Sequence, residues 1–202
     1  MVLYIISGFT QSGKTTLINL LLKDPNVIRI ITCTTRKPRE GERDKVDFYF
    51  LKEEDFKDKN KFIETAIVHG NYYGTLLDEV KNKLKQEGKK VVWNLDVQGA
   101  DFVLKNRNDI TKEVVTIFIA PAKFTTLIQR IRLKGDVNSE QRIESVRKEI
   151  KYLSLYKYMV STSTSLGESF ENLKGIVFND KDKLKKAEDL MKNFNVDRFL
   201  RS

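Results

Sequence analysis

A parallel α/β fold is what this sequence predicts, and three observations predict it. Short β-branched apolar runs, suited to strands buried on both faces, recur at 2–7, 27–31, 90–95 and 114–119. Helical patterns separate them, so strand and helix alternate along the chain. A turn running from Gly8 to Gly13 stands between the first strand and the first helix. The chain has 202 residues, 40% hydrophobic and 32% charged, which suits a single domain with small insertions.

The elements follow in order. After the strand at 2–7, a helix is expected from about Lys14 to Lys23, with Leu17, Leu20 and Leu21 on one face and Asp24-Pro25 as its stop. The strand at 27–31 leads into a polar loop, 32–47, that holds Arg36, Arg39, Arg43 and four acidic residues. Residues 47–51 resume an extended pattern, 53–64 read as a short charged helix, and 70–75 are rich in turn residues. A helix over 78–87 stops at Gly88, and the strands at 90–95 and 114–119 follow, the second ended by Pro121. From Thr125 to about Ile150 the pattern is helical, broken at Lys134-Gly135-Asp136. Residues 159–165 read as a loop or minor strand, 175–178 (Gly-Ile-Val-Phe) as a last strand and 181–194 as a last helix. The segment 155–174 reads as an insertion to which no function attaches.

Composition narrows the chemistry. No apolar run approaches the roughly 20 residues of a bilayer span, and the N-terminus reads as a buried strand, not a signal peptide. Cys33 is the only cysteine and His69 the only histidine, so an intrachain disulfide, a zinc site and a Ser-His-Asp triad are all disfavoured. The lone thiol fits a reducing cytosol. A net charge of +9 points to anionic partners, which nucleic acid, nucleotides or simple solvation of lysines would each satisfy. The lysines are dispersed and no arginine–aromatic block appears, so no dedicated nucleic-acid surface is expected.

Gly8-Phe9-Thr10-Gln11-Ser12-Gly13-Lys14-Thr15 matches G-x-x-x-x-G-K-[ST] at every fixed position, between a predicted strand and a predicted helix. Glycines let backbone N–H groups converge on phosphate oxygens, and the helix N-terminus adds partial positive charge. Lys14 can reach the β- and γ-phosphates, and the Thr15 hydroxyl can ligate Mg²⁺. The candidate ATP-binding set is Gly8, Thr10, Gln11, Ser12, Gly13, Lys14, Thr15 and Thr16.

The segment after the second strand carries a resemblance. Thr34-Thr35-Arg36-Lys37-Pro38-Arg39-Glu40-Gly41-Glu42 and Asp47-Phe48-Tyr49-Phe50 resemble the TTRxPRxGE…DYxF signature of guanylate kinases. Phe62-Ile63-Glu64, the run Gly70 to Thr75, Asp96-Val97-Gln98-Gly99 and Phe118 to Pro121 continue the match over nearly the whole chain, except roughly 155–174. The physics agrees with it. Two planar guanidinium groups, Arg36 and Arg39, suit a dianionic phosphate, and the Tyr73 hydroxyl can add a donor. Guanine offers N1–H and N2–H₂ donors that the Glu64 carboxylate can accept, with hydroxyls of Thr32 and Thr75 along the same edge.

The resemblance implies a five-stranded parallel P-loop NTPase sheet flanked by helices, built on a core of 1–31, 76–124 and 148–202. It also implies an inserted nucleoside-monophosphate-binding subdomain at 32–75 and a short lid at 125–147. It implies a transferase that uses Mg²⁺ and ATP to phosphorylate GMP or dGMP in the cytoplasm, as a monomer or weak dimer, in purine metabolism. The implied GMP-binding set is Thr32, Arg36, Arg39, Glu42, Glu64, Tyr73, Thr75 and Asp96. The implied catalytic set is Lys14, Arg36, Arg142 and either Arg130 or Arg132, the lid arginines acting in cis on the transferring phosphoryl group. Asn179, with Asp180 after the last strand, resembles the family's adenine-side contact. Thr15 and Asn94 are the metal-side candidates. Two positions depart from the pattern: Phe48 stands where the family has tyrosine, and Asn94 where it has aspartate; the lid loop is also about three residues short. The competing readings are a kinase for another or modified monophosphate, and a weakened guanylate kinase-like interaction module.

Overall fold

The computed structural model describes residues 2–68, 70–106, 110, 113–134 and 139–202. The elements are β1 (Val2–Gly8), α1 (Lys14–Leu21), β2 (Val27–Ile30), β3 (Cys33–Thr34), β4 (Tyr49–Phe50), β5 (Phe62–Val68), β6 (Asn71–Leu76), α2 (Leu77–Leu84), β7 (Lys90–Asn94) and α3 (Val97–Asn106). Then come β8 (Glu113–Ala120), α4 (Phe124–Leu133), α5 (Ser139–Glu149), β9 (Tyr158–Ser161), α6 (Leu166–Val177), α7 (Lys181–Lys192) and α8 (Val196–Leu200). Five strands form one sheet in the order β2-β7-β1-β8-β9, with β2 parallel to β7 and β8 parallel to β9. Leu3, Tyr4, Ile5 and Ile6 are all buried, as a strand with both faces covered requires. Among the described residues no helix is long and apolar enough to cross a membrane.

By internal contacts the chain forms two units, Met1–Ile5 with Pro25–Val114, and Ile6–Asp24 with Val115–Ser202. The first contains a second sheet, β4-β3-β6-β5, whose small core is Cys33, Phe56 and Phe62 with Tyr49, Leu51, Tyr72 and Leu76 against it. The second packs α6 against α1 and α7 against β9. There the Phe9 ring meets Phe118 edge-on at 4.8 Å between centroids and stacks on Phe199 at 5.6 Å.

Four expectations are corrected. Residues 53–64 are not one helix: Glu53–Phe56 and Lys59–Lys61 are single 3₁₀ turns, and Phe62 already starts β5. The turn-rich 70–75 is a strand, β6, hairpinned onto β5 across Gly70 at a φ of 77°. Of the loop or minor strand expected at 159–165, the strand is present as β9 and forms the fifth strand of the main sheet, so it stands outside these corrections. Residues 175–178 are not a strand, since Gly175, Ile176 and Val177 end helix α6. The β-branched pair there is apolar because Leu173, Ile176 and Val177 share the buried helix face, at i, i+3 and i+4 spacing. The segment 155–174 is therefore core, holding β9 and most of α6, and is no insertion. In the expected helix break at Lys134-Gly135-Asp136, Gly135 and Asp136 lie outside the described residues.

Candidate active site

In the second unit, β1 delivers the phosphate loop to α1. A Cβ on Gly8 would lie 2.3 Å from the Ile119 carbonyl oxygen, so only glycine lets the loop leave the strand there. Gln11 (φ 57°) and Gly13 (φ 90°) are left-handed, and α1 starts at Lys14 with its first N–H groups unused by the helix itself. The Ser12 hydroxyl is buried with no partner in a loop otherwise suited to anions. Lys14 Nζ donates back to the Gly8 carbonyl at 3.3 Å, lying across the loop, while Thr15 and Thr16 are exposed.

Two arginines reach this loop's surroundings. Arg142 of α5 donates through Nη1 to Thr10 Oγ1 at 3.1 Å. Arg130 of α4 donates to the hydroxyl and the carbonyl of Thr162 at 3.0 and 2.8 Å. The Thr162 methyl sits 3.7 Å from where a Gly13 Cβ would be. Arg132 instead faces solvent and pairs with Glu140 at 3.4 Å. Sequence reasoning missed Thr162; with β9 recognised, its position just past the strand's carboxyl end would have marked it. Asn179 comes in a different structural setting from the one expected. It follows a helix instead of a strand, its N–H goes to the Ile176 carbonyl, and Asp180 beside it caps α7.

In the first unit, the β5–β6 register sets Glu64 directly opposite Thr75. Thr75 Oγ1 donates to Glu64 Oε1 at 2.7 Å and accepts from the indole N–H of fully buried Trp93 at 3.1 Å. Its single proton is therefore spent on Glu64, which makes Thr75 a holder of that carboxylate more than a reader of a base edge. Glu64 is only 4% exposed. Burial chiefly, with the Asp96 charge adding to it, pushes its pKa up to about 7, against the Thr75 bond that lowers it. A Cβ on Gly99 would stand 3.2 Å from Glu64 Oε2 and 3.6 Å from Asp96 Oδ2, so the glycine leaves space beside both carboxylates. Asp96 Oδ1 takes the N–H groups of Gln98 and Gly99. Thr32 is buried beside β4, its carbonyl accepting from the Tyr49 N–H at 2.9 Å.

The polar loop is folded by its own carboxylates. Glu42 holds Arg36 Nη2 through both oxygens at 3.0 and 2.9 Å and also takes the Arg39 N–H. Asp47 takes the Arg43 N–H, and Asp44 the Phe50 N–H. Glu42 is thus occupied with shaping the loop. Arg36 Nε is buried without a partner, a charged donor with capacity to spare, and the Arg39 side chain is exposed.

Residues 1–180 match the guanylate kinase family model. The chain belongs to the guanylate kinase family. It is 37% identical over 193 residues to a guanylate kinase of Clostridium tetani, covering 93% of this chain and 90% of that one. It is 33% identical to one of Thermotoga maritima, covering 96% and 95%. The crystal structure of guanylate kinase from Anaplasma phagocytophilum superposes with a TM-score of 0.70 at 26% identity, over 89% of this chain and 86% of that one.

Within this guanylate kinase chain the two departures have visible surroundings. Phe48 is an aromatic platform: the Arg36 guanidinium carbon lies 5.4 Å from its centroid and the Tyr73 ring 6.3 Å away, edge-on. The neighbouring Tyr49 does not replace the missing hydroxyl, because its own donates to Glu79 Oε2 at 3.1 Å. Burial and the Glu79 carboxylate push that phenol up to about 12. Asn94 ends β7, half-buried.

Proposed function

We infer that the chain transfers the γ-phosphate of ATP to GMP or dGMP, giving ADP and GDP or dGDP. An oxygen of the acceptor's phosphate attacks the γ-phosphorus, and the bond from that phosphorus to the β-phosphate oxygen breaks. The observation that carries the base assignment is Glu64, a buried carboxylate with space over Gly99 and one oxygen not taken by Thr75. Guanine's N1–H and N2–H₂ would satisfy it, whereas adenine has no paired donors at that edge.

The contacts support the following roles. Gly8, Thr10, Gln11, Ser12, Gly13, Lys14, Thr15 and Thr16 hold the ATP phosphates, and Arg130 and Arg142 face the charge on the transferring group. Arg36, with Arg39 and Tyr73, takes the acceptor phosphate; Glu42 keeps Arg36 aimed. Thr32, Glu64 and Asp96 face the nucleoside, with Thr75 holding Glu64. The residues present fit Mg²⁺ through hard oxygen donors, the exposed Thr15 hydroxyl and the Asn94 amide oxygen. No cluster of three or more His, Cys, Asp or Glu side chains suited to a metal occurs among the described residues. When bound, the ion offsets phosphate charge. Residues 32–75 form the acceptor-binding subdomain and 125–147 the lid. The protein works in the cytoplasm as a monomer or weak dimer, without a nucleic-acid surface.

Lys14→Ala tests the transfer chemistry. Turnover of GMP with MgATP, followed as ADP release, should fall by about 100-fold or more while circular dichroism and melting temperature hold. A variant with wild-type rates would end this reading.

A further inference from the structure

Glu79 lies in the first turn of α2, outside every motif read from the sequence. Its carboxylate is nearly enclosed, at 11% side-chain exposure, where the helix N-terminus favours negative charge. Oε1 accepts the backbone N–H of Ile31 at 3.0 Å, and Oε2 accepts the Tyr49 hydroxyl at 3.1 Å. Lys83 Nζ stands 3.8 Å away, one turn on. These two acceptances bracket Thr32. Ile31 is the residue before it, and Tyr49 is the residue whose N–H binds the Thr32 carbonyl at 2.9 Å.

The geometry points to Glu79 as a positioning residue for acceptor binding: it clamps the β2–β3 bend and β4 together, and so fixes where the Thr32 side chain sits. The clamp rests on the acceptor-side role given above to Thr32. The backbone needs it because Ile31 has left the β2–β7 ladder, which ends at Ile30, and has not entered β3, which starts at Cys33. A partly buried N–H at such a gap, off both ladders, needs an acceptor from elsewhere. Glu79 supplies the acceptor and spends its second oxygen on the strand across the bend. Tyr49 is thereby committed to scaffolding, and Phe48, next to it in sequence, faces Arg36.

Three variants and two readouts test this: Glu79→Ala, which removes both acceptors; Tyr49→Phe, which removes one bond; and Glu79→Gln, whose amide oxygen can still take the Ile31 N–H. Glu79→Ala should raise the KM for GMP about 2- to 10-fold, through the displaced Thr32, and leave the KM for ATP unchanged. Tyr49→Phe should raise it less, and Glu79→Gln should restore most of the wild-type value. Amide hydrogen exchange at Ile31 should quicken in Glu79→Ala. A lowered melting temperature with both KM values and Ile31 exchange at wild-type levels would show a merely structural glutamate and overturn the assignment. If Glu79→Ala does not fold, the same comparison on Tyr49→Phe decides. Absence of GMP turnover in the wild type would instead break the proposed function, and Ile31 exchange would still report on the clamp.

Discussion

At the scale of single residues, the acceptor site turns on what Phe48 and Glu64 do with charge. Phe48 holds Arg36 against its ring but offers the acceptor phosphate nothing. Restoring a hydroxyl with Phe48→Tyr should tighten GMP binding roughly 10- to 100-fold, the value of a hydrogen bond to a charged group, and leave ATP affinity unchanged. A calorimetric titration of both nucleotides checks this; an unchanged GMP affinity would mean the ring sits too far from the phosphate. Glu64 brings a pH dependence of opposite sign for stability and for binding. Its pKa rises from 4.5 in the open chain to about 7 in the fold. In the ligand-free protein its contribution to stability is therefore full below pH 4.5 and lost as pH rises through about 7. Guanine needs the ionised form, so GMP binding should strengthen over the same rise. A dissociation constant about tenfold weaker at pH 6 than at pH 8 is expected, from the ionised fractions of a group with that pKa. Glu64→Gln should flatten this slope, and a variant that keeps it would move the titration to another group.

At the scale of elements, what the sequence reveals depends on whether a signal is contiguous. The phosphate loop and the arginine-bearing loop each lie in one short run, so their chemistry is legible without the fold. Helix α6 was hidden by the β-branched Ile176-Val177 pair, although a capping signal was present: Ser165 accepts the Glu168 N–H at 3.1 Å in a Ser-x-x-Glu arrangement. The β5–β6 hairpin was hidden because Gly70 and Gly74 read as loop, when Gly74 is required by packing: a Cβ there would meet Glu64 O at 2.9 Å. Gly175 carries a similar demand inside a helix. Its Cβ would fall 2.4 Å from Lys183 Cγ and 2.5 Å from Lys183 Cβ, where α6 passes α7. Gly175→Ala should therefore destabilise the protein by about 1–3 kcal/mol in spite of alanine's better helix propensity. Urea denaturation checks it, and a more stable variant would show that α7 gives way freely.

At the scale of the whole molecule, a net charge of +9 and a lysine-rich surface agree with anionic substrates but do not select one. Tertiary structure gathers residues of the candidate site from far apart in sequence: Thr162 under Arg130, Gly99 beside Glu64, Glu79 behind Thr32. Thr162 and Glu79 lack a local signature, because each works through a partner 30 or more residues away; Gly99 stands in the Asp96-Val97-Gln98-Gly99 run, but its packing beside Glu64 does not show there. A guanine-reading carboxylate and a phosphate loop serving one reaction predict strong selectivity for the acceptor base. The most direct measurement is kcat/KM for GMP, dGMP, AMP, CMP and UMP as acceptors with MgATP, followed as ADP release. GMP and dGMP should exceed AMP by about 10⁴-fold or more, since a site built to pair with donors rejects a base that lacks them. Comparable rates for AMP and GMP would contradict the account.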